Sequence, residues 1–566
     1  MHNYQKITEN VYYIGDSDRR LSLFENVYPI PRGISYNSYL IKDKSNILLD
    51  LVDASVAHVF FENLSALLKD EKLDYVIINH MEPDHSATLA ELIRHYPEVK
   101  ICCGSQTKTL LQQFFPSVLD KQINVLQEGD FLVTGTHEFT LIAAPMVHWP
   151  EVTVCYEKSE KILFSADAFG TFGALNGKIF ADQNNFETEC LDDSRRYYTN
   201  IVGKYGPQVQ NLLKKASELD IAFLCPLHGP IWRKNISWYV DKYQKWSSYT
   251  PEENGVLIVY GSPYGHTANA AEILANELAS QGITNTALYD VSSTHFSYLV
   301  SESFKYSHIV FASVTYNMGT FVNMQTLLNI LTEHNLQNRT IGFIENGSWA
   351  PNSKKVMKKT LESLKNITFL EESITIKSSV SEENFTQIQK LATSIINSMP
   401  KTEVAPHTSG EVDKKAMFEL SAGLFVLTAK TSEKDNGCII DTATQITSTP
   451  LLISIAVNKH DFTHDMIMES KEFNISVLPE TTDLSVFKHF GFQSGRDVNK
   501  FENITIVRSK NGIAYCPEAN SFISAKVKDV YDYGTHTLFI AEVTEAAILS
   551  AEPSITYKYY LDRVKK

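Results

Sequence analysis

Asn79-His80-Met81-Glu82-Pro83-Asp84-His85 sets two imidazoles and two carboxylates within six positions, directly after the apolar run Asp74-Tyr75-Val76-Ile77-Ile78. A strand that ends in a Pro-containing loop and continues as the helix-like Ser86-Ala87-Thr88-Leu89-Ala90-Glu91-Leu92-Ile93 turns alternate side chains toward one point above a sheet. Four potential ligands then share one pocket, as in a polymetal site. The inventory extends to His148 in Pro145-Met146-Val147-His148-Trp149-Pro150, Asp167 in Phe164-Ser165-Ala166-Asp167-Ala168-Phe169-Gly170, and His228 in Cys225-Pro226-Leu227-His228-Gly229-Pro230. Each follows or ends a strand-like run. Singly, any of these histidines reads as an ordinary loop or core residue. Together, H-x-E-x-D-H, H, D, H gives seven candidate ligands, enough for two metals when one carboxylate bridges them. Zinc for hydrolysis and iron for redox chemistry are the two readings.

The 566 residues correspond to three or four domains at roughly 150 residues each. The net charge of -15 argues against a protein that tracks nucleic-acid phosphates. No apolar run reaches the length of a bilayer span, and Met1-His2-Asn3-Tyr4-Gln5-Lys6 lacks the apolar core of a signal peptide, so a cytoplasmic protein without a membrane partner is expected. The seven cysteines are odd in number and never spaced C-x-x-C, which suggests neither a disulfide framework nor a rubredoxin-type iron site.

The hydrophobic pattern changes class along the chain. From 1 to 250, short strands such as Ser45-Asn46-Ile47-Leu48-Leu49-Asp50-Leu51 alternate with turns and helices, as in an α/β sandwich. From 251 to 398 a β-loop-α rhythm begins at Gly255-Val256-Leu257-Ile258-Val259-Tyr260 and reads as a doubly wound parallel sheet. Residues 399–411, rich in Pro, Ser and Thr, read as a linker. From 412 to 566, runs such as Pro450-Leu451-Leu452-Ile453-Ser454-Ile455-Ala456-Val457 suggest a closed β-barrel.

The ligand order resembles the metallo-β-lactamase fold, whose zinc hydrolases present H-x-H-x-D-H. Glu82 stands where those enzymes carry the middle histidine. An anionic, harder oxygen ligand suits a metal cycling between ferrous and ferric states, which favours iron. With all seven positions filled, the chain resembles the flavodiiron proteins, also called A-type flavoproteins, whose first domain is an αββα sandwich. The resemblance implies that His80, Glu82 and His148 hold one iron and Asp84, His85 and His228 the other, with Asp167 bridging. The stretch Tyr28-Pro29-Ile30-Pro31-Arg32-Gly33-Ile34-Ser35-Tyr36-Asn37-Ser38-Tyr39-Leu40-Ile41 is also similar to that family.

In the second domain, Ser262, Pro263, Tyr264, Gly265, His266 and Thr267 lie between a strand and a helix, where hydroxyls and backbone N–H groups can cradle a phosphate. In this context they resemble the FMN phosphate loop of flavodoxins. The resemblance assigns the isoalloxazine ring to two later strand-end loops, carrying Ser313, Thr315, Tyr316 and Asn317, and Asn346, Gly347, Ser348 and Trp349. The first of these loops has Val314 where the family commonly has proline.

In the third domain, Asn436 to Pro450 and Gly534 to Val543 resemble the split-barrel flavin reductases. There Thr442, Gln445, Thr447 and Ser448 offer neutral donors and acceptors to a second flavin, FMN or FAD, while Asn458, Lys459 and Thr463 are candidates for its phosphate.

The family likeness implies an electron chain from NADH or NADPH through two flavins to a diiron centre that reduces dioxygen to water, nitric oxide to nitrous oxide, or both. It also implies a head-to-tail homodimer or dimer of dimers. A separate electron carrier remains an alternative donor. Two rival functions follow from the same residues: a dizinc hydrolase, which Glu82 and the flavin-like domains disfavour, and a non-catalytic gas or redox sensor, for which no output module is recognisable.

Overall fold

The computed structural model describes residues 2–400, 420, 422–432, 434–502 and 506–561. The chain forms two compact units, Met1–Glu403 and Val404–Lys566. Beyond residue 400, the linker expected at 399–411 lies outside the described residues.

The strand Tyr75–Ile78 is central in a seven-stranded sheet of order Gln5–Lys6, Val11–Tyr13, Tyr39–Ile41, Ile47–Leu49, Tyr75–Ile78, Lys100–Cys103, Ile123–Val125. Val76, Ile77 and Ile78 are fully buried, as expected for a parallel strand covered on both faces. A five-stranded sheet of order Phe131–Val133, Glu138–Ala143, Thr153–Glu157, Ile162–Phe164, Phe223–Cys225 packs against it. Strand alternation separates the layers. Ile47, Leu49 and Ile77 face Leu141, Cys155 and Phe164 between the sheets, whereas Leu48, Val76 and Ile78 face outward with Phe60 and Leu64 of the helix Ala57–Leu68. On the other outer face the helix Ile236–Ser247 buries Tyr239, Tyr243 and Trp246, spaced i, i+4, i+7. The result is an αββα sandwich.

The second fold of this unit is a parallel sheet of order Thr286–Asp290, Glu253–Gly261, Tyr306–Tyr316, Thr340–Asn346, Thr368–Ile376, with the short Gly319–Thr320 pairing antiparallel to Tyr306–Tyr316. Apolar clusters cover both faces. The strand order reverses beside Glu253–Gly261, which places a crevice at the carboxyl ends of that strand and of Tyr306–Tyr316. The helix that follows the loop after Glu253–Gly261 runs from His266 to Ser280.

In the second unit an antiparallel sheet runs in the order Asp435–Ile440, Phe425–Lys430, Glu472–Val477, Ser521–Asp532, His536–Ile548, Leu451–Asn458, Ala443–Ser448. Only Asp441 and Thr442 separate the first and last strands of that order along the chain. The sheet therefore curls until its two edges meet without a ladder between them. The closed barrel read from the sequence is thus a split one, around a core that includes Leu427, Ile455, Phe473, Ile475 and Phe539. Among the described residues no helix is long and apolar enough to cross a membrane.

Candidate metal centre and flavin sites

The run that follows Ile78 is fixed from below. Asp50, at φ 52°, accepts hydrogen bonds from the Asn79 backbone and side-chain nitrogens at 2.7 Å each. Burial pushes the Asp50 carboxyl up to about 6, against the pull of those bonds. Past this anchor the chain turns into the short helix Pro83–Ser86, with Pro in its first turn where the missing N–H costs nothing. The second helix begins only at Leu89, so the continuous helix read from Ser86 to Ile93 is broken at Ala87-Thr88.

The distant ligands arrive by strand register. Phe164 pairs with Cys225 in parallel, and Asp167 and His228 each follow three residues later. His148 comes from the loop after Glu138–Ala143. The seven side chains form two groups, His80, Glu82, His148 and Asp167, and Asp84, His85 and His228. Asp167 faces both. Its Oδ2 lies 3.2 Å from His80 Nε2 and 3.4 Å from His148 Nε2, and its Oδ1 lies 3.2 Å from His85 Nε2 and 3.7 Å from His228 Nε2. Glu82 Oε2 is 2.9 Å from His148 Nε2 and 3.2 Å from His80 Nε2, while Asp84 Oδ2 is 3.2 Å from His228 Nε2 and 3.3 Å from His85 Nε2.

These atoms fit a pair of cations. Both carboxylate oxygens of Asp84 and of Asp167 are buried without a hydrogen-bond partner, a costly arrangement unless positive charge sits among them. Burial opposes charge on His148, yet Asp167 and Glu82 outweigh it and raise the imidazole to about 9. The same competition lifts His80 well above its usual value. A donor set of four imidazoles and three carboxylates is one that borderline divalent and ferric ions accept.

Several supports were not legible in the sequence. His228 Nδ1 donates to Ser35 O at 2.7 Å, and His80 Nδ1 lies 2.8 Å from Glu151 Oε1, so each imidazole turns its Nε2 lone pair inward. Asn37 Nδ2 donates to Pro226 O and Gly229 O, both at 2.8 Å, and holds the His228 loop. Although Glu25 is exposed, desolvation of its carboxyl and the charge of Glu82 push it up to about 8. The spacing of Ser35, Asn37 and Glu151 carries no metal-ligand pattern, so only their contacts reveal them.

The crevice of the parallel sheet holds a cavity of about 620 Å³, within the range of cofactor pockets. Ser262, Pro263, Tyr264, His266 and Thr267 line it with Thr315, Tyr316 and Asn317 and with Asn346, Gly347, Ser348 and Trp349. Gly265 caps the helix at φ 87°, a conformation open to glycine. Tyr264 and Trp349 are 90% and 89% exposed, aromatic faces that remain free to stack on a ring. Ser313 departs from this group. It is buried and its Oγ accepts from the Phe321 N–H, because the hydroxyl turns into the strand end. Ser378 was missed. It lines the cavity from the loop after Thr368–Ile376, and its backbone N–H donates to Asn346 Oδ1 at 3.1 Å.

In the barrel, the strand Ala443–Ser448 is a sheet edge whose residues from Thr444 to Ser448 are all exposed, although Gln445 Nε2 donates to Thr447 O at 3.3 Å and the Thr447 hydroxyl donates to Pro450 O. Thr442 Oγ1 donates to Ala456 O at 2.8 Å, and Lys459 Nζ reaches Asp532 at 2.5 Å. Asn458 Oδ1 accepts from the His460 N–H at 3.0 Å. Thr463 departs from them: it is fully buried and accepts from Asn436 Nδ2 at 2.9 Å, which leaves no surface atom for a phosphate. None of these seven residues lines the cavity of about 610 Å³ in this unit, bounded by residues such as Leu478, Val486, His489 and Phe501.

Fold and site together define a metallo-β-lactamase-like metal-binding domain joined to a flavodoxin-like domain. Residues 34–229 match the family model of the ODP family beta lactamase, and residues 417–565 match the flavin reductase like domain. The chain is 23% identical over 557 residues to a putative diflavin flavoprotein A 3 of Nostoc, covering 96% of this chain and 95% of that protein. It is 27% identical over 356 residues to an anaerobic nitric oxide reductase flavorubredoxin of Escherichia coli, covering 61% of this chain and 72% of the relative. The solved rubredoxin oxygen:oxidoreductase of Desulfovibrio gigas superposes with a TM-score of 0.65 at 27% identity, over 70% of this chain and 98% of that one. The chain belongs to the flavodiiron proteins, in the arrangement that carries a C-terminal flavin reductase-like domain. It is a flavoprotein oxidoreductase.

Proposed function

We propose that this protein is an NAD(P)H-dependent oxygen reductase, nitric oxide reductase, or both, in which electrons from NADH or NADPH reach a diiron centre through a C-terminal flavin and FMN. The observation that carries the reading is Asp167, whose two oxygens address separate histidine groups. In this reading residues 1–250 form the diiron domain, 251–398 the FMN domain, 399–411 the linker and 412–566 the reductase-like domain. His80, Glu82 and His148 hold one iron, Asp84, His85 and His228 the other, and Asp167 bridges. The loops at 262–267, 315–317 and 346–349 hold FMN. The exposed strand from Ala443, with Asn458 and Lys459, takes a second flavin, FMN or FAD. The relatives named for nitric oxide and for oxygen support either gas as substrate. When bound, the iron pair supplies a redox-active seat for the gas and two electrons, and reduced FMN supplies two more, which matches four-electron reduction of dioxygen.

The chain's own residues prepare that seat. Glu151 and Ser35 keep protons on the outer nitrogens of His80 and His228, so their inner lone pairs stay available. Trp149 packs 5.4 Å from the His80 ring, and Phe24, Tyr36 and Tyr197 pack 5.5, 5.6 and 5.5 Å from the His228 ring. This aromatic wall excludes water and limits escape of partly reduced species. The exposed aromatics at the FMN cavity accord with a head-to-tail homodimer, or a dimer of dimers, that covers them.

The test joins metal analysis to kinetics. Purified protein is expected to hold two irons and flavin per chain and to consume oxygen or nitric oxide with NADH or NADPH. Zinc without flavin would overturn the reading in favour of a hydrolase, and an iron- and flavin-loaded protein inert to both gases would defeat the reductase assignment. Anaerobic stopped-flow mixing of the reduced protein with each gas ranks the two substrates.

A further inference from the structure

The two halves of the metal cluster differ in what stands behind their histidines. His80 and Glu151 are both fully buried as side chains, and Glu151 Oε1 lies 2.8 Å from His80 Nδ1. The same oxygen accepts the Met81 N–H at 3.0 Å, which fixes the carboxylate independently of the imidazole. Glu151 Oε2 is buried with no hydrogen-bond partner, so the negative charge is not dispersed into other donors. Behind the other half stand weaker groups. His228 Nδ1 donates to a neutral carbonyl, Ser35 O, and His85 Nδ1 has no hydrogen-bond partner. An imidazole that donates to a carboxylate gains imidazolate character and becomes a stronger donor to a metal. Asp167 is shared, so it does not distinguish the halves, and each half adds one further carboxylate, Glu82 or Asp84. The difference is Glu151.

We propose that Glu151 is a positioning residue that makes the two metal positions unequal: by holding and polarising His80 it stabilises the ferric form at the position of His80, Glu82 and His148, so that the position of Asp84, His85 and His228 is reduced first. This rests on the diiron reading above. Each couple takes up one electron from the reductant, and Glu151 sets the order in which the two couples fill. The general consequence is a resting centre that passes through one defined mixed-valence arrangement rather than two.

The experiment is a mediated redox titration of the full-length protein, followed by Mössbauer spectroscopy, in wild type, E151Q and E151D. Gln keeps an acceptor for the His80 and Met81 N–H groups and removes only the charge. Wild type should show two resolved one-electron iron couples. In E151Q the lower one should rise, because loss of an outer carboxylate weakens metal binding about 10- to 100-fold. If that loss falls on the ferric form, the shift is about 59 mV per tenfold. The upper couple should move far less, so the gap narrows, while the iron content stays at two. E151D, one methylene shorter but charged, should shift in the same direction by less, and it carries the test if E151Q does not fold. Unchanged couples in both variants, or equal shifts of the two couples, would overturn the proposal. A wild type without two irons would instead defeat the diiron reading itself, so the two failures are distinguishable.

Discussion

Asp167 touches four histidines, two with each carboxylate oxygen, and no other residue of the cluster spans both groups. Removing it should therefore unseat both metals, whereas removing His228 affects one group. We expect D167A to fall from two irons to fewer than about one per chain and to lose gas reduction, while H228A keeps roughly one. Both should retain reduction of flavin by NAD(P)H, which is followed by flavin absorbance, and D167A with full iron content would refute the bridging role. At this scale the sequence was informative for the candidate ligands, because residue type and spacing are local properties of strand-end loops. It was silent on Glu151, Ser35 and Asn37, whose importance comes from contacts made across 71, 193 and 189 residues.

Between the sandwich and the parallel sheet, the helix Leu191–Tyr197 meets the entry to the strand Glu253–Gly261. Arg195 Nε donates to Glu252 Oε2 at 2.5 Å, and Lys242 Nζ and Trp246 Nε1 donate to the same carboxylate at 2.8 and 3.0 Å. Burial alone raises the Glu252 pKa, but Arg195 and the other donors prevail and hold it at about 2 instead of the usual 4.5. A carboxylate depressed on folding adds stability above its unfolded pKa and loses it as pH falls toward the folded value. Stability linked to Glu252 should accordingly be full above about 4.5 and fade toward about 2, an amount on the order of 3 kcal/mol. Breaking a buried pair by removing one partner costs about 3–5 kcal/mol. E252Q should be destabilised by that order near neutrality, and its deficit against wild type should shrink as urea unfolding is repeated from about pH 6 to about pH 3. A deficit independent of pH would show that lost packing, not charge, is responsible. The change of hydrophobic pattern between residues 250 and 251 marked this boundary but gave no hint of the ion cluster that secures it, since Arg195 and Glu252 lie 57 positions apart.

In the proposed reading the whole chain combines an electron entry with an electron sink. Because Met1–Glu403 and Val404–Lys566 are separately compact, a chain ending at residue 400 should keep its iron and FMN and still reduce gas with dithionite, yet lose oxidation of NADH or NADPH. Retained NAD(P)H oxidation would place the nicotinamide site in the first unit and count against the proposed chain. Composition and hydrophobic period sufficed for the three fold classes, because the alternation of a two-sided strand and the rhythm of β-loop-α units are written locally. The same local rules supplied the seven candidate ligands and the candidate phosphate loop. They could not supply which oxygen of Asp167 faces which histidines, the entry of Ser378 into the cavity of the parallel sheet, the burial of Ser313 and Thr463, or the carboxylate behind His80. Those depend on strand register and on which faces the layers bury, quantities that exist only once distant segments pack. Residue type and spacing suffice to read the candidate donor set and the kind of domain that carries it; its division into two groups with different neighbours waits on packing, because those neighbours lie outside the run from His80 to His85.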